Sequence, residues 1–185
     1  MKFIVLVCGI ILLLLAVGCS AQVLPSKILG YKVQTAKAVV TTDRLDPAAE
    51  ADILIRLGEM SVSHIGMLGA TLNVSGEMLS KAASGKVDRL MFRDLRINGV
   101  AVDVDDVTDD FNFEKDKSYT LEKSLRAHLS PINAVKAGFS AITDGREKWA
   151  IAGTLFVFCR VKKFGFTFKR VIPIKLSLNV KNPLL

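Results

Sequence analysis

Residues 148–181 leave few options for how this chain folds. From Phe166 onward, apolar side chains share one parity through Phe168, Ile172, Ile174, Leu176, Leu178 and Val180, broken only at Arg170. Lys169, Lys175, Ser177, Asn179 and Lys181 fall between them. Successive side chains of a strand point to opposite faces, so a period of two specifies a long strand with one face buried. The preceding run, KWAIAGTLFVFCRV over 148–161, is too continuously apolar for edge structure and predicts an interior strand. Lys162-Lys163-Phe164-Gly165 joins the two as a turn. Pro173 has no N–H to give to a ladder, so the last strand should be bulged or at an edge there.

The same alternation runs through the first half. It predicts strands over 31–41, 52–57, 60–65, 70–78 and 88–97, and it resumes at Val100, Val102 and Val104. Asn98-Gly99 suits the left-handed positions of a tight hairpin. Tyr119, Leu121, Leu125 and Leu129 alternate with Thr120, Glu122, Arg126 and His128, which predicts a further strand. The period then changes. Ser130 can cap a helix, Pro131 suits its first position, and Ile132, Val135, Phe139 and Ile142 follow at helical spacing before Gly145. The expected fold is mainly β: an antiparallel β-sandwich carrying one amphipathic helix over 131–143.

The N-terminus points to export. Met1-Lys2 precedes an apolar run over 3–17, closed by the small residues Gly18-Cys19-Ser20-Ala21. This is the pattern of a secretory signal over 1–18. A spanning helix needs ~20 apolar residues, so a retained anchor helix is the second reading. The stretch Leu15-Ala16-Val17-Gly18-Cys19 resembles the bacterial lipobox, with Ala16 where that pattern prefers Leu. The resemblance implies cleavage before Cys19, diacylglycerol on its sulfur, and an extracytoplasmic membrane anchor. Ser20 would then favour the outer membrane of a Gram-negative cell. Ordinary cleavage after Ala21 is the competing reading.

With the signal removed, the rest is enough for a tether over 19–30 and one domain over 31–185. The cysteines are Cys8, Cys19 and Cys159. An acylated Cys19 leaves Cys159 without an intramolecular partner, so no disulfide framework or cysteine-based metal site is expected. Cys159 lies in apolar sequence and reads as a buried, inert thiol.

The net charge of +7 is unevenly spread. Asp103, Asp105, Asp106, Asp109, Asp110, Glu114 and Asp116 form one acidic stretch, whereas the C-terminal region is basic. An exported basic surface suits anionic lipid or an envelope polymer. No helix-turn-helix, RNA-binding signature or zinc finger appears, which argues against nucleic acid.

The stretches Ile65-Gly66-Met67-Leu68-Gly69-Ala70-Thr71-Leu72, Ile97-Asn98-Gly99-Val100 and Ala150-Ile151-Ala152-Gly153-Thr154-Leu155-Phe156-Val157 resemble positions of a known family. That family is the water-stress and hypersensitive-response (WHy) domain of late-embryogenesis-abundant group 2 proteins, also found in bacterial lipoproteins. The resemblance spans about 58–180. The family usually places Asn-Pro after an early strand; here it occurs at 182–183. The resemblance implies a compact β-sandwich with one helix and a non-enzymatic role in stress protection, desiccation tolerance or envelope maintenance. It carries over no catalytic residue.

The search for chemistry is short of partners. His128 falls on a polar strand face, and His64 shares a face with Met60 and Val62, the setting of a satisfied, partly buried histidine. Neither has metal-ligand spacing. Gly138-Phe139-Ser140 lacks the closing glycine of a nucleophile elbow. The acidic stretch lacks the sixth-position Gly and twelfth-position Glu of a calcium loop, so it reads as solvated or paired with basic strands. No enzyme activity, metal or cofactor is expected.

One surface suggests a partner. Lys162, Lys163, Phe164 and Phe166 set two cations beside two rings, which suits an anionic membrane interface. Alternation through Phe168 and Ile172 places Phe166 on the core face, leaving Phe164 at the turn. Two functions follow as expectations: a lipid-anchored protective or binding module, or a membrane-contacting protein that uses this tip.

Overall fold

The computed structural model describes residues 24–66, 69–108, 110–121, 125–129 and 147–182. Twelve strands form two sheets in this part of the chain. The first sheet runs β1 (Lys27–Ile28), β2 (Tyr31–Val33), β12 (Phe166–Lys181), β11 (Lys148–Lys163), β6 (Ser84–Ile97) and β7 (Val100–Ala101), with β8 (Phe111–Phe113) also on β6. The second runs β10 (Leu125–Leu129), β5 (Gly69–Ser80), β4 (Ile53–Gly66) and β3 (Ala38–Thr41), with β9 (Ser118–Thr120) also on β5.

The fold is therefore mainly β, but the sheets are mixed rather than antiparallel. β2 lies parallel to β12 through Lys32↔Arg170 and Val33↔Val171, and β3 lies parallel to β4. The cause is the segment expected as one strand over 31–41. It breaks into β2 and β3 and crosses from one sheet to the other. A chain that leaves one sheet edge to join the facing one cannot turn back as a hairpin. The strands expected over 52–57 and 60–65 are one strand, β4, bent by bulges between Leu57 and Met60 and between Val62 and His64. β8 is an element that alternation did not reveal. The helix expected over 131–143 lies outside the described residues. Residues 27–28 of the expected tether pair with β2 as β1.

The sheets meet face to face. Ile53 and Met78 of the second pack with Val87, Leu90, Leu155, Val157, Cys159 and Ile172 of the first. Further along, Leu72 joins Ile97, Trp149, Ile151 and Val180. Fully burying one such aliphatic side chain stabilises by roughly 1.5–3 kcal/mol.

The continuous apolar run of β11 has a structural reason: it is buried on both faces. Leu155, Val157 and Cys159 point between the sheets. Phe158 points outward, yet it is 1% exposed, because Tyr31 and Val33 of β2 and Ile28 of β1 fold over it beside Met91 and Val171. β11 is accordingly interior, flanked by β12 and β6 along most of its length. Pro173 lies just beyond the Val171 pairing where β2 stops, so its missing N–H faces no neighbouring strand.

Candidate functional site: a basic and aromatic hairpin tip

β11 and β12 are paired without interruption from Lys148↔Lys181 to Lys163↔Phe166. Phe164 and Gly165 make the two-residue turn, with φ of +52° and +77°. Two successive left-handed residues match the twist of the flanking strands, which is why Asn-Gly is favoured in such turns. Asn98-Gly99 follows that rule between β6 and β7, with φ of +51° and +84°. A phenylalanine at the first position pays for its Cβ, roughly 1–2 kcal/mol.

The hairpin outruns the sheet opposite it. Cross-strand partners share a face, so Val157/Ile172, Cys159/Arg170, Val161/Phe168 and Lys163/Phe166 form one stripe. Its inner end is core. Toward the turn, exposure rises to 37% at Phe168, 68% at Phe166 and 85% at Phe164. The expectation that Phe166 lies inside is corrected. Its parity is that of the core face, but among the described residues no strand of the second sheet extends over it.

The structure sets Lys163, Phe164 and Phe166 at one tip, places Lys162 on the opposite strand face, and adds others. The Lys163 Nζ lies 5.2 Å from the Phe164 ring centre, and the Arg170 guanidinium 5.1 Å from that of Phe168. The Phe166 and Phe168 rings are 6.4 Å apart. Lys169 Nζ lies 5.6 Å from the Tyr31 ring. A second two-residue turn, Leu29-Gly30, has φ of +49° and +81°, with Leu29 62% exposed. Because β2 and β12 run parallel in register at Lys32↔Arg170, that turn points to the same end of the sheet as the hairpin tip.

Six cations at this end stand outside the ion pairs. Lys27, Lys32, Lys162, Lys163, Lys169 and Arg170 form no ion pair among the described residues. The acidic stretch pairs with other cations, and its Asp110 and Glu114 flank β8 at this same end. Asp106 lies 3.8 Å from Arg89 and 3.6 Å from Arg93, Asp110 pairs with Lys86, and Glu114 lies 2.6 Å from Lys117. Hydrogen bonding to the Lys117 ammonium and its charge hold the Glu114 carboxyl below its ordinary range.

The remaining candidates do not assemble into chemistry. Cys159 is 2% exposed, and burial, aided by the Asp88 charge, pushes its thiol up to about 12. A thiol held neutral at physiological pH is a poor nucleophile. His64 is exposed rather than partly buried: the bulge between Val62 and His64 takes it off the face that Met60 and Val62 turn to the core. Cys19 and the side chain of His128 lie outside the described residues. Among the described residues no three His, Cys, Asp or Glu side chains are placed to hold a metal ion. A groove of about 530 Å³ at the far end of the hairpin is lined by Lys148, Lys181, Asn179 and Arg56 among others, with no His, Cys or Ser.

Comparison with family models and with curated proteins gives no match. Among solved structures, the chain is similar to a crystal structure of a protein from Archaeoglobus fulgidus, at 14% identity and a TM-score of 0.39. That likeness covers 66% of this chain and 94% of the other, and is too loose to carry an argument.

Proposed function

We propose that this chain is a non-enzymatic, exported envelope protein, held by lipid on Cys19, whose hairpin tip rests on an anionic lipid surface. The observation that carries the reading is the graded exposure of Phe168, Phe166 and Phe164 beside unpaired cations. Exposed apolar surface costs free energy in water, and aromatic rings beside lysines are stable where headgroups meet acyl chains. Each Lys near an anionic surface contributes ~1 kcal/mol.

The strained backbone at Phe164 supports the same reading, since a small polar residue would suit the turn better. The anchor is compatible with it. Lys27 lies eight residue steps on from Cys19, and eight extended steps reach at most ~26–29 Å. Register places Lys27 opposite Lys32, and Lys32 opposite Arg170. The tip is then about five residues away, roughly 17 Å. One bilayer can accept both the acyl group and the tip.

The WHy resemblance enters as part of the proposal. It adds a role in protecting the envelope under water stress, within a sandwich whose helix would occupy residues 131–143.

The test is flotation of protein beginning at Gln22 with anionic and neutral vesicles; all twelve strands lie beyond that point. Binding to anionic vesicles in low salt is expected, falling as salt rises, since the screening length is ~10 Å at 0.1 M. Lys162→Glu with Lys163→Glu should weaken it at least about 30-fold, two lysines at ~1 kcal/mol each, with unchanged thermal unfolding. Equal binding by wild type and double variant would exclude the tip.

A further inference from the structure

The stripe that ends at the tip begins in a cavity. A space of about 130 Å³ lies between the sheets at this end, walled by Val157, Cys159 and Ile172 of the hairpin and by Ile53 and Met78 of the facing sheet. It is close in size to engineered apolar cavities of ~150 Å³ that take a benzene-sized guest. It is not sealed. Exposed Gln34, Asp52 and Ala82 line it beside half-buried Ala36 and Ala83, and the small alanines leave the opening wide.

Two of its polar side chains are already engaged. Ser80 Oγ donates to the Ala83 carbonyl at 2.8 Å, and Asp52 Oδ2 accepts the Lys37 N–H at 2.9 Å. The Cys159 thiol stays neutral. From Ile172 to Phe166 the apolar face therefore continues outward for about 20 Å, interrupted by Arg170. That guanidinium is half-buried, lies over Phe168 and has no acidic partner among the described residues.

We infer that this path binds one chain of an anionic amphiphile, its end in the inter-sheet cavity and its carboxylate or phosphate against Arg170. A cavity on the same sheet face as exposed apolar side chains favours an extended apolar chain over a compact solute, and an arginine without an acidic partner, cross-strand from the cavity-lining Cys159, selects a negative head. A free fatty acid and a phospholipid share this chemistry. The inference rests on the membrane reading for the source of the chain, while its binding is measurable without a membrane.

The experiment titrates the protein beginning at Gln22 with monomeric hexanoate, octanoate, decanoate and decyl phosphate. Decyltrimethylammonium and inorganic phosphate are the controls. Saturable one-to-one binding is expected, tightening about fourfold per added methylene until the cavity is filled. Terminal methyl protons should give NMR contacts to Ile172 and Met78. The cationic amphiphile should bind at least tenfold more weakly, and Arg170→Gln should erase that difference. Ala36→Phe should block chain binding and leave vesicle flotation intact; if it does not fold, Ala83→Leu at the rim serves instead.

Absence of saturable binding, contacts confined to the tip rings, or inorganic phosphate binding as tightly as decyl phosphate would each overturn the inference. If the protein floats with vesicles but takes up no decanoate, the membrane reading stands and this one falls. If decanoate binds while flotation ignores the tip charges, the reverse holds.

Discussion

The guanidinium of Arg160 grips the carboxylate of Asp88 across adjacent strands, with Nε 2.9 Å from Oδ1 and 3.0 Å from Oδ2. Tyr31 adds a third tie, donating its hydroxyl to Asp88 Oδ2 at 3.0 Å. The Tyr31 ring stands edge-on to Phe158 at 5.2 Å. One carboxylate thus joins β6 to β11 and pins β2 over the outer face of the sheet.

That arrangement predicts a measurable cost for losing the charge alone. Asp88→Asn keeps the size of the side chain but leaves a neutral acceptor for Arg160. Charge-assisted bonds are worth about 1.5–3 kcal/mol. The side chain of Arg160 is 43% exposed, and water can replace part of the pair. A loss of about 1–2 kcal/mol is expected in urea unfolding. Tyr31→Phe should cost less, and the two together less than their sum, because they share one acceptor. Strict additivity would show that the two contacts are independent.

Alkaline pH should destabilise the fold through Cys159. Its folded thiol is raised from 9.0 to about 12, chiefly by burial. The unfolded chain therefore ionises first, and the stabilisation present below pH 9 is lost as pH rises toward 12. The loss should reach about 2–3 kcal/mol between pH 9 and pH 11, at 1.36 kcal/mol per unit. Tyr31, raised by burial and its bond to Asp88, acts in the same direction at higher pH. Cys159→Ala should flatten the slope between pH 9 and 10 while lowering stability at pH 7. An unchanged slope would mean that the thiol is not the group responsible.

Phe164→Asn separates stability from function at the tip. The left-handed turn position favours Asn over Phe, so the variant should unfold at a temperature several degrees higher, about 1 kcal/mol of stabilisation. It should also bind anionic vesicles more weakly, because an 85% exposed ring is removed. Stabilisation with undiminished vesicle binding would assign the ring no role at the membrane.

The anchor is tested by intact mass. Protein from the membrane fraction should begin at Cys19 and carry acyl mass, and Cys19→Ala should be released or incompletely processed. An unmodified N-terminus at Gln22 would replace the lipid anchor with a simple export signal.

The strands were legible because a side-chain period of two can be satisfied by a pleated backbone and by no helix. The alternation in β12 and the apolar run of β11 depend only on neighbours along the chain. So do the left-handed turn at Asn98-Gly99 and the position of Pro173. The acidic stretch read as solvated or as a partner for basic strands, and its pairs with Lys86, Arg89 and Arg93 of β6, outside the basic C-terminal region, were not legible.

What periodicity cannot carry is which part of a stripe finds something to cover it. Phe166 and Phe168 have the same parity as Ile172 and Ile174, yet two are exposed to different degrees and two are buried. The difference is the length of the opposite sheet, a property of strands distant along the chain. Phe158 shows the converse: it points away from the main core and is buried because β1 and β2 fold across it. The pair Asp88–Arg160, 72 residues apart, and the parallel seating of β2 on β12 have the same origin. The amino-acid sequence by itself determined which residues could face apolar surroundings, since that follows from local geometry. Only the tertiary structure decided which of them do, because burial requires a second surface and that surface comes from distant chain.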